Sequence, residues 1–334
     1  MQRHVLSSPP PGRRSSTPAN RRRLLSLALA LAVPAALAIV TGQGPASAGQ
    51  GSPTVTTTGV ETFGAIKTTT STVGWLLRCS YSHSGTSDPI MMPSMPGMSH
   101  LHDFFGNVST SADSTLASME SSKTTCGTAA DTAGYWAPAL MVHGKLIPPN
   151  QTSQQIYYRS KYASGVTVVP LPQDLRVVVG NSTATSVAAN PALTGAAAGN
   201  QGIYWECDGN TTVHYTLPPS CSGGVILENV QFPSCWNGVL AHNHGALNDN
   251  ADLAYAPNGG NCPAGFPYAM PRISLKVKYT VGTDGTAVTL ASGPAASAHA
   301  DFWNTWQPAG LSYLVAKCIN AGISCGTNPV APMG

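Results

Sequence analysis

From residue 273 to 280 the chain alternates strictly: Ile273, Leu275, Val277 and Tyr279 are apolar, while Ser274, Lys276, Lys278 and Thr280 are polar. A period of two marks a strand with one face in a core and the other toward water. Short runs of β-branched and aromatic residues recur at Val73–Leu77, Leu175–Val179, Gly202–Glu206, Val225–Val230 and Ala287–Leu290, bounded by Gly, Pro, Asn or Ser. Thr283-Asp284-Gly285-Thr286 reads as a hairpin turn joining the 273–280 strand to the next. Helical periodicity is scarce. Leu311–Ile319 is the best short candidate, and the Ala/Gly/Asn tract from Asn181 to Gly202 reads as a long surface loop. No internal repeat is visible. The pattern predicts an all-β fold: a single sandwich-like domain over residues 59–330 with long loops.

Composition narrows this picture. The chain has 334 residues, of which 42% are hydrophobic and 9% charged. That is too apolar for general disorder and too poor in charge for a coiled coil. At the N-terminus, Arg21-Arg22-Arg23 precedes an apolar run from Leu24 to Val40 and then Ala46-Ser47-Ala48. A basic start, an apolar centre and an A-x-A end predict a secretory signal over 1–48, loosely of twin-arginine type, followed by a mobile polar leader over 49–58. The run is interrupted by Pro34 and falls short of the ~20 residues that span a bilayer. The expected location is extracellular, with no membrane contact after cleavage.

Six of the 17 basic residues lie in the first 48 positions, which hold no acid, so the remainder has 11 basic against 14 acidic residues, a net of −3. Such a body offers no footprint for nucleic acid. All eight cysteines (Cys79, Cys126, Cys207, Cys221, Cys235, Cys262, Cys318 and Cys325) follow the leader. An even count in an exported chain predicts disulfides, and no C-x-x-C spacing suggests a thiolate metal site. Proximity suggests Cys207–Cys221, Cys235–Cys262 and Cys318–Cys325, leaving Cys79–Cys126, although eight cysteines allow 105 connectivities.

The candidate chemistry lies in three histidine segments: His100-Leu101-His102-Asp103, His242-Asn243-His244 and His299-Ala300-Asp301. On extended backbone, residues two apart point the same way, so His100 with His102, and His299 with Asp301, each present two ligands to one ion. Imidazole and carboxylate suit zinc or copper, and Met91, Met92, Met95 and Met98 nearby favour copper on softness. A buried hydrogen-bond network ordering two loops remains open as the alternative. Without a metal, Asp301 would orient His299 as a general base. Asp103 points away from His102 and is a candidate supporting or catalytic acid. Tyr135, Trp136, Trp236 and Trp303 are candidates for stacking on sugar rings, set against the ordinary demand of a β core for such residues. Phosphate-binding glycine loops, nucleophile elbows and H-E-x-x-H are absent from the sequence.

An ordered set of short motifs runs along the chain: Asp88-Pro89-Ile90, Pro96-Gly97, Ser99-His100-x-His102, Tyr135-Trp136-x-Pro138-x-Leu140, Tyr157-Tyr158, Gln231 to Gly238, Leu253-Ala254-Tyr255, Cys262-Pro263 and His299-Ala300-Asp301-Phe302 with a nearby Trp306. In this order they resemble DUF1996, a secreted family of bacteria and fungi. The resemblance implies secretion. Fungal relatives joined to carbohydrate-binding modules point it toward glycans. Two departures stand out: Ala251-Asp252 occupy the place of a family Ser-His, and Phe266-Pro267 that of a His-Pro. Asp252 or the His242 pair would then substitute for the missing imidazoles. The leading expectation is a secreted enzyme acting on an extracellular polysaccharide or cell-wall glycan. A non-catalytic glycan-binding protein and an extracellular copper-binding protein stand as alternatives.

Overall fold

The computed structural model describes residues 73–334, except 153, 200, 201, 211, 216, 217 and 241–250. The expected signal and leader therefore lie outside the described residues, as does the His242/His244 pair. Eleven strands build two main sheets. In chain order they are β1 (Gly74–Cys79), β2 (Tyr81–Gly85), β3 (His102–Gly106), β4 (Gly134–Pro138), β5 (Gln154–Arg159), β6 (Arg176–Gly180), β7 (Ile203–Cys207), β8 (Val225–Gln231), β9 (Arg272–Thr280), β10 (His299–Trp303) and β11 (Ser324–Thr327). One sheet has six strands in the order β11-β1-β5-β9-β8-β7; the other has five in the order β2-β3-β4-β10-β6. All these neighbours are antiparallel except β1 and β11.

The two sheets share one core. Leu77, Ile156, Tyr158, Leu275 and Val277 from the six-stranded sheet pack with Phe105, Tyr135, Val177 and Phe302 from the five-stranded sheet. The alternation along Ile273–Tyr279 thus does what its period demands: the apolar set faces the partner sheet, and Ser274, Lys276 and Lys278 face outward. Across the core, the Tyr135 and Tyr158 hydroxyls are 2.6 Å apart. Tyr135 donates to Asp131 (2.9 Å), and the Trp306 indole donates to Tyr158 (2.9 Å). A second apolar cluster of Ile90, Phe104, Met119, Trp136, Val178 and Trp303 lies on the other face of the five-stranded sheet. That face is roofed by the 86–101 segment, so β3, β4 and β10 are buried on both faces, whereas edge strand β2 is only partly buried.

Four disulfides join Cys79 to Cys126, Cys207 to Cys221, Cys235 to Cys262 and Cys318 to Cys325, the pairs that proximity in sequence singles out. Two local expectations fail. The 283–286 segment does not close a hairpin. Both edges of β9 are already taken, by β5 and β8, so Val288–Leu290 pairs instead with Leu140–Val142 in a small four-stranded sheet. The 181–202 tract is not all loop either, since helix α1 occupies Pro191–Gly199. Pro191 starts it with φ already set, and the Asn190 side chain accepts from the Ala192 amide (3.1 Å). The 311–319 candidate is realised as helix α2 (Pro308–Leu314) running into a π-helical turn at Val315–Ile319. Among the described residues, no helix is long and apolar enough to cross a membrane.

Candidate metal centre

His102 opens β3, His299 opens β10, and β4 lies between these strands. Along β10, Ala300 and Phe302 enter the shared core, whereas Trp303 joins the second cluster. His299 and Asp301 therefore sit on the roofed face, and the same parity puts His102 there with Phe104. His100 comes from the roof itself. The close approach of β6 depends on Gly180, which pairs with His299 and has φ +101°. A Cβ on Gly180 would lie 2.3 Å from the Ala298 carbonyl oxygen and 2.7 Å from the His299 Cβ, so any side chain there displaces the imidazole's anchor.

The three imidazoles converge through Nε2. His100 Nε2 is 2.9 Å from His299 Nε2, and His102 Nε2 is 3.3 Å from it. Two ligands of a tetrahedral ion at ~2.0–2.1 Å stand ~3.3 Å apart, so this spacing fits a shared cation. Tautomers strengthen the point. His102 Nδ1 lies 3.0 Å from the Ser87 carbonyl oxygen, and His299 Nδ1 lies 2.9 Å from that of Ser297. A carbonyl only accepts, so both Nδ1 atoms carry hydrogen and both neutral rings present a lone pair at Nε2. His100 has one Nε2 proton to give and can satisfy one lone pair, not two. A cation satisfies all three.

Charge and burial agree with ligation. Burial drives the His100 pKa down to about 4 and that of His299 to about 3, and holds His102 well below the ordinary imidazole value. All three are neutral near pH 7, the form a metal ion requires. The turn before His299 is clamped by Asn190, whose amide donates to the Ala296 and Ala298 carbonyls, both at 2.8 Å.

The acids fall elsewhere. Asp301 does not orient His299, because Ser297 holds that Nδ1. Instead Asp301 groups with Asp88 and His102, their candidate ligand atoms all within 4.8 Å of one another. Both Asp301 oxygens are buried and lack a hydrogen-bond partner. Burial and then the Asp88 charge push its pKa well up, so it holds its proton. Asp88 accepts from the Ile90 and Met91 amides (3.0 and 2.9 Å), and burial raises its pKa as well. Residue spacing alone does not single out Asp88; the Asp88-Pro89-Ile90 motif is the signal that could have.

Asp103 is removed from the site by strand parity. It lies on the inner face, accepts from the Ser84 hydroxyl (2.6 Å) and has its pKa raised by burial to about 6. Tyr135, Trp136 and Trp303 have no exposed surface, because both faces of their sheet are covered, so no sugar can stack on them. Trp236 remains half-buried beside exposed Tyr268, with ring centres 5.4 Å apart. Met95 and Met98 are exposed. A further grouping of Cys79, Cys126 and Asp131 offers no thiolate, since the two sulfurs are bonded to each other.

A family model described as "Domain of unknown function (DUF1996)" matches residues 88–306. The chain belongs to the DUF1996 family. The DUF1996 match begins at Asp88 and ends at Trp306, enclosing His100, His102, His299 and Asp301. No curated protein and no solved structure matches the chain.

Proposed function

We propose that the protein is a secreted, metal-dependent enzyme acting on an extracellular polysaccharide, with His100, His102 and His299 holding a zinc or copper ion. The observation that carries this reading is the convergence of three neutral Nε2 atoms, two of them fixed by Nδ1 bonds to carbonyls. His100, His102 and His299 would hold the ion and leave it a fourth position, and the chemistry it would supply there is acidification of water and polarisation of a substrate oxygen. The chain's own residues set up that position. Ser87 and Ser297 orient the His102 and His299 rings, and Asn190 holds the turn that leads into His299. Asp88 and Asp301 are too buried to meet a polymer, and they cluster with His102 on the roofed face. Half-buried His100 is the side from which solvent reaches the ring trio. Four disulfides favour an oxidising compartment, and the joining of fungal relatives to carbohydrate-binding modules, which the resemblance implies, favours a polysaccharide substrate.

The test is metal analysis of protein purified without chelators, combined with turnover of a panel of cell-wall polysaccharides. A near-stoichiometric transition metal, lost together with activity in the His100→Ala/His299→Ala double variant, is the expected result. Wild type free of transition metal overturns the metal centre; a loaded protein that cleaves no polymer overturns the enzyme. A purely structural ion is the second reading, favoured by the burial of His102 and His299. In the cobalt-substituted protein, a visible spectrum that shifts on adding azide marks an open fourth position, and one that does not marks a closed structural site.

A further inference from the structure

The outer face of the six-stranded sheet carries charge of one sign without its partner. Arg159 on β5 and Arg272 on β9 are directly opposite each other in the strand register, an arrangement that like charges disfavour. Lys161 follows two residues after Arg159. These three cations line a cleft of about 140 Å³ together with Tyr157, Tyr204 and Gln231. Arg272 is only 4% exposed, and its guanidinium donates to neutral acceptors alone, the Asn258 side chain and the Ala256 carbonyl. Among the described residues, no carboxylate forms an ion pair with Arg159, Lys161 or Arg272. The nearby Lys276 does have an acid, Glu206 at 2.7 Å, so the deficit belongs to those three. Burial, and for Lys161 the two arginines as well, lowers the pKa of each.

The remaining walls narrow the ligand. The Arg159 guanidinium lies 3.7 Å from the centre of the Tyr157 ring and is held in a plane there. Gln231, 9% exposed, lines the same cleft as the cations, and its buried side-chain oxygen has no hydrogen-bond partner among the described residues. A simple inorganic anion would use the cations and leave that acceptor unpaired. A ligand bearing both an oxyanion and a hydroxyl uses both, and two tyrosine rings give its C–H surface a place to lie. We propose that this cleft binds an acidic sugar unit, a sugar ring carrying carboxylate or sulfate within an anionic glycan. The site is separate from the histidine centre: it opens on the outside of one sheet, the imidazoles lie on the far side of the other, and packed sheets stand ~10 Å apart. It therefore holds whether or not the histidines bind metal.

The measurement is calorimetric titration of the purified protein with trigalacturonate, a sulfated oligosaccharide, neutral maltotriose and sodium sulfate. Arg159→Gln and Lys161→Ala are the variants, because neither removes the Arg272 contacts that tie down the 256–258 segment. One of the two acidic oligosaccharides is expected to bind, more weakly as salt rises, with maltotriose silent, and the preferred one identifies carboxylate or sulfate. The double variant is expected to lose about tenfold or more in affinity, with its melting temperature and metal content unchanged. No binding of either acidic sugar overturns the proposal. So does equal binding of maltotriose, sodium sulfate binding as tightly as the sugars, or binding that the double variant retains. His299→Ala, by contrast, is expected to leave this affinity intact, so the failure of either site is read separately.

Discussion

The two outward faces of the sandwich handle polar groups in opposite ways. On the five-stranded sheet, the 86–101 segment covers His102, His299 and Asp301, and their charge is suppressed by the loss of water. On the six-stranded sheet, the cationic side chains of Arg159, Lys161 and Lys276 line a cleft and stay at least partly exposed. Both faces arise from the same period-two alternation. What distinguishes them is whether a loop roofs the strand ends. A roofed face converts ionisable residues into neutral ligands; an open one keeps them as charges that attract an opposite charge from outside.

The sharpest way to break the comparison is His299→Ala. Loss of a ligand exceeds the roughly 10–100-fold that loss of a ligand's supporting partner typically costs in metal affinity. Competition titration against a chelator should show that loss, while the open face keeps its anion affinity. Next comes Gly180→Ala, which forces a Cβ into the Ala298 carbonyl at an unfavourable φ. It is expected to cost about 1–3 kcal/mol in a denaturant melt and to weaken metal binding through the displaced His299. An unchanged melt would show that β6 does not set the imidazole's place.

Between the faces, Glu228 offers a pH test. Burial, reinforced by Asp103, raises its pKa from 4.5 to about 8, and neither oxygen has a hydrogen-bond partner. The folded chain keeps a proton that the unfolded chain releases over that window. Stability should therefore fall from about pH 4.5 to about pH 8, by up to ~1.4 kcal/mol per pH unit, then level off. Glu228→Gln carries no such proton and should flatten that slope, so parallel slopes in urea melts of the two proteins would refute the assignment. The smallest effect belongs to the open face, where Lys278 meets half-exposed Asp208 at 2.5 Å. Lys278→Met should change stability by less than about 1 kcal/mol, and by less still in high salt.

Much of this was legible in the residues themselves. Ile273–Thr280 declared its strand and its faces, and the local cysteine pairs declared their partners. The i, i+2 spacing brought His100 and His102 together and put His299 on one face with Asp301. What remained hidden depends on the third dimension. Which side of β10 would be roofed decided that Trp303 is interior, and parity alone does not reveal a roof. Ser297 reaches His299 before Asp301 can, because a carbonyl two residues upstream is fixed by the 3₁₀ turn at Ala295–Ser297. The Asp284-Gly285 signal promised a hairpin on local chemistry, but a strand with both edges occupied has none to offer.

The disulfides span 47, 14, 27 and 7 residues, and each loop closes before the next begins. No covalent bridge therefore ties the first third of the domain to the last. A single protease cut between Cys126 and Cys207 would yield two fragments that part on a non-reducing denaturing gel. His100 and His102 would travel with one fragment and His299 with the other. An ion shared by those rings would be one reversible link between the pieces, beside the strand pairings of β1 with β11 and β4 with β10, and a chelator would remove that link alone.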